Sequence, residues 1–298
     1  MWFKNLYLFK FEQEFTQSAD ELHDVLSRKP FTPCGATQRE SMGWVAPLGK
    51  NANALTHSAN GFILLSMARQ ERLLPASVVR EEVDERVTEI EHKEDRKVTA
   101  KEKKELRENI EHELLPRAFT RTQKMDAWID PKGDWLVIDS ASAPRAETFT
   151  KLLRKTLGTL PIALPDTEVT PATAMTAWLQ EDNLPEPFLL GAECELKTPD
   201  EAKSSAVFKN HELLSDEVQT NLKKGKYVAK LALIWSDKIS FVVTEELQIK
   251  KLKFLDVMKD ELQESDAETH EDHIDIEFTL MTGEVSAMLV DLLDSFND

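Results

Sequence analysis

Histidines and acidic residues come close together in the segment ETHEDHIDIE, which contains His270 and His273. Imidazole and carboxylate groups at this spacing could bind a divalent metal ion weakly. A lone H-x-x-H pair with no second pair of ligands is, however, weak evidence for a metal site. We therefore interpret the segment as a solvated acidic turn before a strand, and we expect no metal or other cofactor.

Candidate residues for nucleophilic chemistry are present but lie far apart in the sequence. The segment LTHSANG places His57 and Ser58 in a loop, and Cys34 and Asp139 could complete a nucleophile, base and acid. No nucleophile elbow, P-loop or GxGxxG motif accompanies them. Asp134 and Asp139 are five residues apart and face opposite sides of a strand. The sequence thus predicts a protein that is not an enzyme, with an enzyme using Cys34, His57 or Asp139 as a remaining alternative.

The charge of the chain is unevenly distributed. The net charge is −17, which by itself argues against a nucleic-acid partner. Yet residues 221–255 contain eight lysines and three acidic residues, whereas residues 256–298 contain fourteen acidic residues and one lysine. This segregation is more informative than the total. Two interpretations stay open: the acidic segment only keeps the protein in solution, or the basic segment forms a surface that binds DNA.

Two regions contain the basic residues that could contact phosphate. The first is a charged helical segment and the LPRAFTR motif after it, where no acidic residue lies between Glu113 and Asp126. The second is Lys223–Lys253, which begins within the acid-free run LKKGKY at a helix end that its cations could instead stabilise. Because no aromatic platform or base-reading motif accompanies them, any contact should be to phosphate without sequence readout. The candidate DNA-binding residues in these regions are Arg96, Lys97, Lys101, Arg117, Arg121, Lys124, Lys223, Lys224 and Lys226.

The elements that must position these residues are typical of an α+β fold with antiparallel strands. Helices are predicted at residues 76–97 and 100–115, with Thr99 and Glu102 as a capping box, so that they form a projecting hairpin. One long helix with a basic stripe is the alternative. Pro116 ends the helical segment and places Phe119 on a turn. A strand hairpin, KMDAWID and DWLVID, and a meander, KYVAKLALIW, KISFVVTE and LQIKKLKF, should follow.

The remaining elements give the expected domain organisation. LPIALP is predicted as a short buried strand, IDIEFTLM as a strand, and residues 282–296 as an amphipathic helix. Residues 1–75 and 116–180 should form a central α+β region, 76–115 a projecting helical tip, and 188–298 a C-terminal α+β region. The linker is the polar segment Glu181–Pro187. The lack of a signal peptide or membrane span, and two distant cysteines expected to be reduced, indicate a cytoplasmic protein.

Several motifs resemble those of the RdgC family of bacterial recombination-associated proteins. They are, in order, MWFKNLYLFKF, FTPCG, MGWVAPLG, ALTHSANG, LLPRAFTR, WID and LMTGE, and the resemblance covers roughly residues 1–296. It implies an α+β protomer that forms a homodimer head to head and tail to tail, closing a ring around double-stranded DNA. It further implies binding without sequence preference, restraint of RecA-mediated recombination, a nucleoid-associated location and no catalytic activity.

The resemblance also implies roles for particular residues. Phe119 would lie at the gate where two projecting hairpins meet, with Arg117 and Arg121 near its rim. Lys209, in FKNHE, would face the hole, although Asn210 and His211 lower the local charge. Phe119 could instead fill the base of its own hairpin. An acidic adaptor that acts directly on RecA or another recombination or replication factor is the alternative function, and single-stranded DNA stays open as a further ligand.

Overall fold

The structure, a computed structural model, describes residues 2–49, 52–200, 204–256 and 269–297. The strands in these ranges are β1 Leu6–Phe11, β2 Glu40–Val45, β3 Thr56–Ala59, β4 Phe62–Leu73, β5 Phe119–Asp130, β6 Trp135–Asp139, β7 Ile162–Ala163, β8 Phe188–Lys197, β9 Ser205–Lys209, β10 Tyr227–Trp235, β11 Ile239–Thr244 and β12 Ile249–Phe254. The helices are α1 Ala19–Leu26, α2 Ala76–Glu94, α3 Ala100–Leu114, α4 Ala143–Leu157, α5 Pro171–Glu181, α6 Asp216–Lys223 and α7 His270–Asp294.

The strands form one antiparallel sheet in the order β2-β4-β5-β6-β1-β12-β11-β10-β8-β9, with β3 beside β4 and β7 beside β1. The predicted α+β class with antiparallel strands is confirmed. The join between β1 and β12 is narrow, with Leu6 opposite Ile249. We call β1–β7 the N-terminal half-sheet and β8–β12 the C-terminal half-sheet.

Side-chain alternation divides the interior into two cores. In β5, Trp128 faces a core that includes α5, α6 and α7, while Ala127 and Ile129 face a second core with α1 and α4. The central part of the N-terminal half-sheet is therefore buried on both faces, while the start of β5 is exposed. The C-terminal half-sheet directs most of its buried residues, such as Leu231 and Leu233, to the first core; Val242 and Ala229 are buried but are not part of that core. Its other face carries charged side chains.

The projecting hairpin is confirmed as two helices, and the single long helix is wrong. Asp95 adopts a left-handed conformation that ends α2, and Thr99 and Glu102 form the predicted capping box at the start of α3. The buried residues shared by the two helices are Val79, Val83 and Ile110. With so small a core, the hairpin depends on the rest of the molecule for its stability.

Two predicted strands differ in the structure. IDIEFTLM is part of α7, because Ile274, Phe278, Met281 and Val285 repeat at helical spacing and all are buried. LPIALP contributes only the two residues of β7, and these are partly to fully exposed. The alternating β-branched residues of IDIE favour a strand locally, but burial against the sheet stabilises the helix.

The acidic turn predicted around the histidines is also wrong, since His273 is exposed in the first turn of α7, after the Thr269 cap. The side chain of His270 lies outside the described residues. Both cysteines are free, as predicted, and burial raises the pKa of the Cys194 thiol to about 12. No helix in the described part of the chain is long and apolar enough to cross a membrane.

Candidate nucleic-acid interface

At the tip of the hairpin, the predicted cations are largely paired with neighbouring glutamates. The Arg96 guanidinium contacts Glu94 at 2.7 Å and Glu102 at 2.8 Å, and Lys97 contacts Glu91 at 2.7 Å. The hydrogen bond from Arg96, helped by the Thr99 backbone, lowers the pKa of the Glu102 carboxyl to about 2. Lys101 is exposed and has no ion pair within the described ranges.

Phe119 is the most exposed large hydrophobic side chain of the described residues, with 85% of its surface accessible. It lies at the first position of β5, not on a turn, and it pairs across the sheet with Leu73. It therefore does not fill the base of its own hairpin. Leu73 itself is 43% exposed, and Val78, five residues after Leu73, is 44% exposed. Arg117, two residues before Phe119, is exposed and has no ion pair among the described side chains.

Arg72, at the end of β4, supports the turn that leads to Phe119. Its Nη1 donates to the carbonyl oxygens of Leu115 at 3.1 Å, Pro116 at 3.3 Å and Ala118 at 3.2 Å. Its Nε and Nη2 donate to the carbonyl oxygen of Gly35 at 3.2 Å and 3.1 Å. The guanidinium of Arg72 thus binds two separate segments of the chain. The sequence did not predict this role of Arg72, because the carbonyl groups that it contacts are distant in the chain.

Arg121 and Lys124 lie on opposite faces of β5. The side chain of Arg121 points to the same face of the strand as Ala127, and the side chain of Lys124 points to the same face as Trp128. Arg121 Nε donates to Glu71 on β4 at 3.1 Å, and Lys124 contacts Asp126 at 3.0 Å. The LPRAFTR segment has no acidic residue in sequence, but the β4–β5 pairing brings Glu71 beside it.

Lysines gather on the outer face of the C-terminal half-sheet. Lys253 lies between Leu252 and Phe254 of the first core, so its side chain points to the opposite face. Lys230 is the cross-strand partner of Glu195, whose two neighbours in β8 are buried in the first core. Lys209 follows the core residue Phe208 in the same alternation. We call this surface the lysine face; its cations are Lys197, Lys209, Lys230, Lys250, Lys251 and Lys253.

Three of these lysines are paired with glutamates. The ion pairs are Lys230–Glu195 at 2.5 Å, Lys251–Glu193 at 2.5 Å and Lys197–Glu245 at 2.6 Å. The hydrogen bond to Glu245 raises the pKa of Lys197. Lys209, Lys250 and Lys253 have no ion pair with any described residue. The lysine face therefore keeps a net positive charge.

The Lys251–Glu193 contact also shows the shape of the lysine face. Two strands, β11 and β10, separate β12 from β8 in the sheet. In a flat sheet those outer strands would lie about 14 Å apart, farther than the two side chains can bridge. The C-terminal half-sheet must therefore curve toward the lysine face, which makes that face concave.

Lys223, Lys224 and Lys226 lie at the end of α6 and not on the lysine face. Val218 and Leu222 of α6 pack into the first core, on the other side of the sheet. Lys223 and Lys224 are exposed, and Lys226 Nζ donates to Asn221 Oδ1 at 2.9 Å. The structure thus brings Lys209 together with lysines that were not singled out from the sequence. The run IKKLKF in β12 was the available signal.

The candidate nucleophile, base and acid are engaged in separate contacts. His57 Nε2 lies 3.0 Å from Asp275 of α7, and Cys34 Sγ donates to the carbonyl oxygen of Gln70 at 3.1 Å. The Asp139 carboxyl accepts from the backbone of Asn5 at 3.0 Å, and burial raises its pKa. Across the described ranges, no three His, Cys, Asp or Glu side chains form a metal-binding group.

Comparison with known proteins gives a match over the whole chain. The model of a family described as "Putative exonuclease, RdgC" matches residues 1–298. The recombination-associated protein RdgC of Colwellia psychrerythraea is 39% identical over 297 residues, covering 100% of this chain and 97% of that protein. Its counterpart in Psychromonas ingrahamii is 40% identical over 296 residues, covering 99% and 98%. The Yersinia pestis protein of the same name is 37% identical over 295 residues, covering 99% and 97%.

Proposed function

The chain belongs to the RdgC family, and from this premise we propose that it binds double-stranded DNA without sequence preference and restrains RecA-mediated recombination. In this proposal a homodimeric ring encloses the duplex in the cytoplasm, at the nucleoid. The observation that carries the proposal is the lysine face. It gathers six cations on one concave surface of a chain whose net charge is −17.

Phosphate binding explains why the cations are arranged in this way. Lysines on neighbouring strands can neutralise phosphates and release the cations condensed on DNA, which drives binding without reading bases. The chain as a whole carries a net charge of −17, which disfavours DNA binding outside such clusters of cations. A duplex would therefore bind to the concave face in preference to the exterior.

The gate of the ring is proposed to form around Phe119. An aromatic side chain that is 85% exposed gains free energy when a second copy covers it, and a two-fold axis places the same patch on both partners. Leu73 and Val78 extend the apolar patch. Arg117 and Arg121 would then border the gate and reach phosphates near it.

The proposed DNA-binding residues fall into two groups. Four carry an ion pair within the chain and must exchange it to bind phosphate: Arg96, Lys97, Arg121 and Lys124. The others have no carboxylate partner among the described residues: Lys101, Arg117, Lys209, Lys223, Lys224 and Lys226. To these we add Lys250 and Lys253 of the lysine face. Free cations should contribute more to binding.

We propose further that the protein is not a nuclease, although its family is described as an exonuclease. Linear duplex DNA incubated with the protein and either Mg²⁺ or Mn²⁺ should keep its full length. A time-dependent shortening from the ends, lost when EDTA is added, would show that the chain is an exonuclease.

The second candidate function is an acidic adaptor that acts directly on RecA or another recombination or replication factor. The observation in its favour is the concentration of fourteen acidic residues in 256–298. An adaptor would bind RecA in the absence of DNA. A DNA-binding ring would restrain RecA only on DNA that it occupies.

A salt titration separates the two candidates. We expect two unrelated 30-base-pair duplexes to bind with equal affinity by fluorescence anisotropy, and the affinity to fall steeply as salt rises. Each phosphate neutralised should contribute about −0.9 to the slope of log K against log salt. Absence of binding to both duplexes at low salt, together with RecA binding without DNA, would favour the adaptor.

A further inference from the structure

Two glutamates of β8 point to the lysine face although that face would bind an anion. Glu195 lies between Cys194 and Leu196, which are both fully buried, so its carboxylate must lie on the opposite side. It accepts from Lys230 at 2.5 Å. Glu193 accepts from Lys251 at 2.5 Å and 2.7 Å through its two oxygens.

The Lys251–Glu193 pair contributes little to the fold, because exposed ion pairs are weakened by water, by salt and by the loss of side-chain freedom. The Lys230–Glu195 pair is partly buried. The backbone pairing of β8 with β10 and β9 and the buried side chains on the other face already define this part of the sheet. Stability therefore does not explain why glutamates occupy these two positions.

The lysine side chains are more exposed than the glutamate side chains that they contact. The side chains of Lys230 and Lys251 are 38% and 56% exposed, whereas those of Glu195 and Glu193 are 18% and 27% exposed. A phosphate can thus approach each lysine from the solvent side while the glutamate stays behind it. The carboxylate reduces the net charge that the phosphate meets without blocking access.

We propose that Glu193 and Glu195 act as built-in counter-charges that lower the affinity of the lysine face for DNA. This inference rests on the proposed function and names residues that tune it. A lysine already neutralised by a glutamate releases no additional cation from DNA when it meets a phosphate. A ring with weaker contacts can move along DNA, and its retention then depends on closure more than on charge.

The test compares two double variants with the same change in net charge. E193Q/E195Q keeps the shape of both side chains and frees Lys251 and Lys230. The control E147Q/E284Q removes the partners of Lys151 and Lys238, which pair at 3.2 Å and 2.7 Å away from the lysine face. Duplex binding is measured by anisotropy over a range of salt concentrations.

We expect E193Q/E195Q to steepen the slope of log K against log salt by about 1.8, since two phosphates are added at about 0.9 each. If the variant and the unaltered chain bind equally at 1 M salt, the variant should bind up to ~60-fold more tightly at 0.1 M salt. The control should keep the slope of the unaltered chain. If circular dichroism shows that the double variant does not fold, E195Q alone should give half the change.

Three results would overturn the inference. An unchanged slope in E193Q/E195Q would show that the glutamates do not compete with phosphate. Equal changes in the test and control variants would show an effect of net charge alone. Absence of duplex binding by the unaltered chain would refute the proposed function as well. If the unaltered chain binds the duplex and E193Q/E195Q has the same salt slope, only the role of the glutamates is refuted.

Discussion

At the residue scale, the exposed position of Phe119 depends on the guanidinium group of Arg72. Arg72 holds the carbonyl groups of Leu115 and Ala118 on one side and that of Gly35 on the other. Arginine can do this because its planar fork has five donors, whereas lysine has one compact charge. Arg72 therefore acts as a positioning residue for the proposed gate.

We predict that Arg72→Lys weakens dimerisation while the protomer stays folded. The turn before Phe119 would lose its fixed geometry, and the dimer dissociation constant should rise about tenfold, or 1.4 kcal/mol. Sedimentation equilibrium measures the constant. Phe119→Ala should raise it at least as much, and Arg69→Lys, a change on the same strand, should not alter it. If the Arg72→Lys variant dimerises as tightly as the unaltered chain while the Phe119→Ala variant dimerises more weakly, the role of Arg72 is refuted.

The cations on the two sides of the C-terminal half-sheet can be compared by charge reversal. We predict that K209E/K250E/K253E weakens duplex binding evenly across sequences, because it removes three unpaired cations from the concave surface. The salt slope should become shallower by about 2.7. K223E/K224E/K226E should also weaken binding, but less, since α6 lies on the other side of the sheet. Unchanged affinity in the first variant would remove the lysine face from the DNA-binding surface.

At the element scale, the hairpin formed by α2 and α3 has a charged cap that depends on pH. The Glu102 carboxyl, whose pKa falls from 4.5 to about 2, accepts from Arg96 and from the Thr99 backbone. A lowered pKa in the folded state means that the stabilisation is present above pH 4.5 and is lost as the pH falls toward 2.

We therefore expect the start of α3 to lose protection as the pH falls from 4.5 toward 2. Hydrogen–deuterium exchange of a peptide covering residues 95–105, corrected for the intrinsic rate, measures this loss. E102Q keeps the side-chain shape but cannot titrate, and it should remove the pH dependence. A pH dependence that persists in E102Q would assign the effect to another group.

Much of the architecture follows from local sequence patterns, and the exceptions have physical causes. The Thr99 capping box and the meander of β10, β11 and β12 depend on neighbours in the chain, so they could be predicted. The strand predicted at IDIEFTLM became part of α7 because a long-range apolar surface selects the 3.6-residue period. Local propensity cannot contain that information.

The candidate site was predictable only in part, for a related reason. The exposure of Phe119 follows from a single segment of the sequence, whereas Lys209 was expected only from the family resemblance. The contact of Arg121 with Glu71 and the fork of Arg72 depend on the register between β4 and β5. Likewise, the lysine face appears only when strands β8 to β12 are placed side by side.

At the scale of the whole molecule, one continuous sheet links regions with different roles. The N-terminal half-sheet packs core residues on both of its faces and carries the projecting hairpin, while the C-terminal half-sheet presents the lysine face. The division into a central region, a tip and a C-terminal region stays a prediction. In the proposed ring, two lysine faces would border the central space.

Retention on closed and linear DNA tests the central claim, that a ring encloses the duplex, most directly. The protein is loaded at low salt on a closed circular plasmid or on the same plasmid cut once, and is then challenged with 0.5 M salt, about the range in which phosphate contacts are strongly weakened. The account predicts that the protein stays on the circle and leaves the linear molecule through its ends. Equal loss from both forms of DNA would contradict encirclement and leave only surface binding.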